Sequence, residues 1–145
     1  MSSTCGRVCR RRAPSSRRRL VPSTYDYSIV RVVPRVERGE QINAGVIVQC
    51  PTAGYLGAEI AFDPAKLRAL APDIDVAEVE AALAIIPLIA AGDRRGGPIA
   101  ELPRNERFHW LVAPRSAIIQ PSPTHTGLCD DPAAALAKLV DRLVR

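Results

Sequence analysis

Three runs dense in β-branched and aromatic residues follow one another with very little chain between them: Tyr25–Pro34, Ile42–Cys50 and Tyr55–Phe62. The links, Arg35–Gln41 and Pro51–Gly54, are short and built from turn-forming residues. Strands joined this closely pair antiparallel, so a meander is predicted. Ile42–Cys50 is apolar almost throughout, which predicts burial on both of its faces. In Tyr55–Phe62 the alternation puts Leu56, Ala58, Ile60 and Phe62 on one face and Glu59 on the other.

Helical patterns follow. Asp63–Pro64 is a start signal, with Asp as N-cap acceptor and Pro at the first turn, where no N–H is needed. It opens a short helix ending near Leu70. Asp75 caps a longer one, with Glu78 three residues on and a stripe of Val76, Val79, Leu83, Ile86 and Ala90. Pro87 is expected to kink that helix or begin a fresh turn. Gly92–Pro103 reads as a polar loop. Phe108–Ala113 and Ala117–Gln120 are the remaining strand candidates, and Pro121–Cys129, lacking any period, reads as loop. Asp131–Pro132 repeats the start signal before a last helix with Leu136, Leu139, Val140 and Leu143 inward. The predicted fold class is α+β: one mostly antiparallel sheet of four to five strands packed against two or three helices.

Charge divides the chain into two parts. Residues 1–24 hold seven arginines and no acid, leaving 13 basic against 15 acidic residues beyond them, a net charge of −2. The overall charge of +5 therefore belongs to the extension, and the domain at 25–145 makes no electrostatic case for nucleic acid. The extension has no apolar spacing and is expected to be disordered. It is either a genuine basic arm, through which nucleic acid would bind, or upstream codons of an over-extended reading frame with a start at Leu20 or Val21. No secretory signal is visible, and the longest apolar stretch, Ala81–Ala91, is interrupted by Pro87 and is about half a membrane span. With four scattered cysteines and no paired spacing, a cytoplasmic protein without a disulfide framework is expected.

Candidate site residues gather in two segments. Arg35 and Glu40 lie in the first hairpin, and Arg107, His109, Arg115 and His125 lie in 104–129. Were the segments to meet, the arginines would suit a phosphate or carboxylate ligand, because guanidinium binds such groups bidentately. The bland alternative is a solvated turn with surface ion pairs. His109, read as sitting on a strand between Phe108 and Trp110, is either an acid–base group or a structural histidine. His125, read as a loop residue, is the better catalytic candidate of the two. Cys129 beside His125 is either a nucleophile pair or a small buried hydrophobe. No metal spacing is present, and neither metal nor cofactor is expected.

Two long motifs carry a resemblance. YDYSIVRVVPRVERGEQINAGVIV over Tyr25–Val48 and ERFHWLVAPRSAIIQPSPTHTGLC over Glu106–Cys129 occur in order and resemble an uncharacterised bacterial family known only as a domain of unknown function. The resemblance spans Tyr25 to the C-terminus. It implies a small bacterial cytosolic protein, associates it with kinase-like neighbours, and supplies no catalytic residue. Two functions follow as expectations: an accessory or protein-interaction module, partnering a kinase-like protein, or a small enzyme or binding protein for a phosphorylated or nucleotide-like ligand. The first leans on the lack of any catalytic motif.

Overall fold

The computed structural model describes residues 22–115 and 117–145. Residues 1–21, and with them Cys5, Cys9 and nearly all of the predicted extension, lie outside the described residues. Strands β1 (Ser23–Val32), β2 (Ile42–Cys50) and β3 (Tyr55–Ile60) form the predicted meander, every pairing antiparallel. Helices α1 (Pro64–Leu70) and α2 (Val76–Ala91) follow, then two short 3-10 turns within Gly92–Pro103. Helix α3 (Arg104–Val112), strands β4 (Ile119–Pro121) and β5 (His125–Cys129), and helix α4 (Pro132–Leu143) complete the chain. Strand order is β3-β2-β1, with β4 and β5 sharing the other edge of β1.

The sheet is covered on both sides. Val30, Val32 and Ile47 face α2, joined by Leu67 of α1 and by Phe108 and Leu111 of α3. Val46 and Val48, with Tyr25 and Tyr27, face Leu136, Leu139 and Val140 of α4. From Ala44 to Cys50 every residue of β2 is buried, as its unbroken apolar run predicts. The helix starts follow the Asp-Pro signals: carboxylates of Asp63 and Asp131 accept the N–H of Ala65 and Ala133 at 3.0 and 3.1 Å. Helix α2 closes on Gly92, left-handed at φ 74°, whose N–H reaches the Leu88 and Ile89 carbonyls. Pro87 lies inside α2, which runs on to Ala91 as one helix rather than beginning a fresh turn.

Two segments differ from the sequence reading. Of Phe108–Ala113, predicted as a strand, Phe108–Val112 is the second half of α3 and Ala113 its C-cap. Its β-rich composition is overridden by packing: at helical spacing Phe108, Leu111 and Val112 all turn into the core beside Ile89 and Ala100, which an alternating strand cannot achieve. Pro121–Cys129, predicted as loop, contains β5, and Ala117–Gln120 is represented only by β4. Together β4 and β5 act as one broken strand along β1. Val30 opposes Pro121 and Tyr27 opposes His125, so Ser28 and Ile29 face three residues, Ser122, Pro123 and Thr124.

Ser122 repairs the ladder at that bulge, where Pro123 has no N–H to donate. Its hydroxyl accepts the Ile29 N–H at 2.8 Å and donates to the Pro123 carbonyl at 2.9 Å, while its own N–H donates to the Ile29 carbonyl. The buried Ser28 hydroxyl donates to the Ser122 carbonyl at 2.8 Å. Farther along, Gly127 sits opposite Tyr25, whose ring occupies the space a Cβ would need.

Removing the hydroxyl strands a partly buried N–H, so Ser122→Ala is expected to cost about 1–3 kcal/mol. The readout is a lower urea midpoint at unchanged m-value. Leu128→Ala on the adjoining strand, where the side chain is 70% exposed, should stay within about 0.5 kcal/mol. One buried position on each face tests the two-sided core: Val79→Asp and Leu139→Asp should each lose about 3 kcal/mol or more.

Candidate functional site

The six polar residues singled out in the sequence occupy five separate places. Arg35 and Glu40 share the exposed β1–β2 turn, where the Arg35 carbonyl accepts N–H groups from Arg38 and Gly39. Glu40 is held by Arg38 through two hydrogen bonds of 2.8 and 3.0 Å, and this bond keeps its carboxyl below the usual range. His109 is exposed on α3 rather than on a strand. His125 is exposed on β5 rather than in a loop, its ring 5.3 Å from that of Tyr27 across the strand pair, an ordinary cross-strand aromatic contact.

The two remaining arginines are committed to helix ends. Arg107 donates to the carbonyl of Leu102 at 2.7 Å and to that of Ala90, in the last turn of α2, at 3.4 Å. Arg115 donates to the carbonyls of Trp110 and Ala113 at the end of α3, with its guanidinium 4.8 Å from the Trp110 ring centroid. Cations there satisfy carbonyls that lack a helical partner and complement the negative end of the helix dipole. An anion would have to compete with those bonds.

Cys129 is half-buried, and burial pushes its thiol up, reinforced by the nearby Cys50 thiol and by Asp130 and Asp131. A reactive thiol needs the opposite shift. Among the described residues no group of three or more His, Cys, Asp or Glu side chains is placed to hold a metal ion.

What the fold does build is an apolar groove of about 630 Å³ between α2 and the segment from Trp110 to Pro121. Helix α2 leans toward β3, which leaves the β1–β4 half of this sheet face without a long helix above it. Val30 and Ile47 form the floor, α2 one wall, and Trp110, Arg115 and Ile118 the other. Ile85, Trp110 and Ile118 stand at its lips with 43%, 40% and 41% of their surfaces exposed. Asp75 and Glu78 sit on the α2 wall. Of the six residues expected from sequence, only Arg115 lines it. Trp110 and Ile118 were missed because a strand reading buries them. A 3.6-residue period through Phe108, Leu111 and Val112 puts Trp110 off the inward stripe, and that signal was available.

A family described as a protein of unknown function, DUF3037, matches residues 27–144. The chain belongs to this family. No curated protein and no solved structure matches it. The family region starts inside β1 and ends in the last turn of the chain, so the groove and all of the sheet but Ser23–Asp26 lie within it. Among the described residues of this DUF3037 protein, no helix is long and apolar enough to cross a membrane.

If Arg107 is a structural tie, Arg107→Ala should lower stability by about 1–3 kcal/mol in chemical denaturation. His109→Ala and His125→Ala should each remain within roughly 0.5 kcal/mol.

Proposed function

We propose that the protein is a non-catalytic accessory module of the cytoplasm that binds a partner protein through the groove between α2 and the Trp110–Pro121 segment. The observation that carries this reading is the ring of large apolar side chains, Ile85, Trp110 and Ile118, left two-fifths exposed around an apolar cavity. Contiguous exposed apolar surface is costly on a lone protein and marks a surface that is covered in use. A small molecule inside the cavity would leave the lips exposed, whereas a protein partner covers both. Trp beside Arg, as at the lip of this groove, is a composition enriched at interface hot spots. The association of the family with kinase-like neighbours makes a kinase-like protein the first partner to test.

Capture of a stoichiometric partner from the native host, followed by groove variants, tests the reading. Trp110→Asp and Ile118→Asp should abolish capture while the fold is retained, as Tm would verify, because neither side chain belongs to the buried core. Leu128→Asp, exposed on β5 away from the groove, should capture as the wild type does. A partner that survives both groove variants, or is lost equally with Leu128→Asp, would rule the groove out.

A further inference from the structure

The groove also constrains the chemistry of its occupant, an inference that rests on the docking reading above. Its α2 wall is drawn from Asp75, Glu78, Ala82, Ile85 and Ile89, residues spaced three or four apart along nearly the whole helix. The groove therefore runs parallel to α2 for about 21 Å, the rise of some 14 helical residues. Its floor lies on β1 and β2, each paired on both edges, and its α2 wall is helical; among the described strands that line it, only the three-residue β4 has an edge with no strand beside it. An extended peptide lying there would find only that short edge and would strand most of its N–H and C=O groups against an apolar surface. A helix satisfies its main chain internally and needs only an apolar stripe.

Charge sets the orientation of that helix. Among the described residues neither Asp75 nor Glu78 makes an ion pair. The cation across the groove, Arg115, is turned onto the carbonyls at the end of α3. The α2 wall therefore presents two exposed carboxylates, at the N-cap and in the first turn of α2, with no side-chain cation on either, beside an apolar slot. We propose that the occupant is an amphipathic helix of a partner protein, about four turns long, with its apolar stripe against Ile85, Trp110 and Ile118 and with Lys or Arg on the flank facing Asp75 and Glu78.

Trp110 is the single tryptophan in the chain, so its fluorescence reports the groove directly. The probes are three synthetic peptides of about 18 residues, long enough for the span. One carries a Leu stripe at helical spacing with a Lys flank, the second the same stripe with a Glu flank, and the third the Lys composition with the stripe scrambled. With the full chain, the Lys peptide should bind saturably and shift Trp110 emission to the blue. It should bind roughly tenfold tighter than the Glu peptide, with the gap narrowing as salt rises. Glu78→Lys should reverse that order, and the scrambled peptide should leave emission unchanged. Glu78 is exposed and contributes only its backbone N–H to the Asp75 cap, so the variant should fold, as its Tm would verify.

Equal affinity for both flanks, indifferent to Glu78→Lys, would overturn the charged-helix occupant while leaving the groove as a docking surface. A blue shift that rises with protein concentration alone, and vanishes in Ile118→Asp, would assign the groove to a second copy of this chain and overturn the proposal. So would saturable binding of a small apolar dye with no response to any peptide. The docking reading itself fails separately, when the groove variants leave partner capture intact.

Discussion

Strand β1 has backbone donors and acceptors on both edges, and everything else in the structure is arranged around satisfying them. The meander supplies β2 on one side within a few residues of chain. The other side is supplied from the far end of the sequence: Ser28 and Ser122, 94 positions apart, meet there in a buried hydrogen bond. An unpaired edge in the middle of a two-sided core would leave a row of N–H and C=O groups without water or partner, each a substantial penalty. Closing that edge makes the sheet five-stranded rather than a three-stranded hairpin ribbon. It also brings the C-terminal third of the chain onto the first ten residues of the described domain.

The manner of closure decides what surface remains. The closing strand is broken, and its halves leave in different directions. The approach to β4 brings the end of α3 and Arg115 alongside α2, whereas β5 leads through Asp131 to α4 on the opposite face. The α4 face is well covered, since one amphipathic helix lies across β2 and β3 with Tyr25 and Tyr27 beside it. The α2 face is not, because α3 is nine residues long and ends before it can lie along β1. The groove is the volume a longer helix would fill. Its polar groups are few because the cations nearby are spent on helix ends, Arg107 on α2 and Arg115 on α3. The arginines that look like ligand-binding residues in a linear reading are holding the walls of an apolar slot.

Local chemistry made much of the fold legible. The three-strand meander, the buried-through β2 and the Asp-capped starts of α1, α2 and α4 all depend on residues within a turn or a strand of one another, and sequence alone determined them. What tertiary structure decided lies in the C-terminal third. Phe108–Ala113 has the composition of a strand, yet becomes helical because Ile89, Ala90 and Ala100 offer an apolar surface that only a 3.6-residue period can match. His125–Cys129 has no period at all, yet becomes a strand because the open edge of β1 requires one. The candidate site follows the same division. Arg35, Glu40, Arg107, His109 and His125 were conspicuous as residue types, but their placement depended on which backbone carbonyls, rings and edges lay within reach. The groove is lined by ordinary Val, Ile and Trp, residues that sequence assigns to a core. Whether such a side chain ends in the core or at a lip is a property of what covers it, and only the three-dimensional packing determines that.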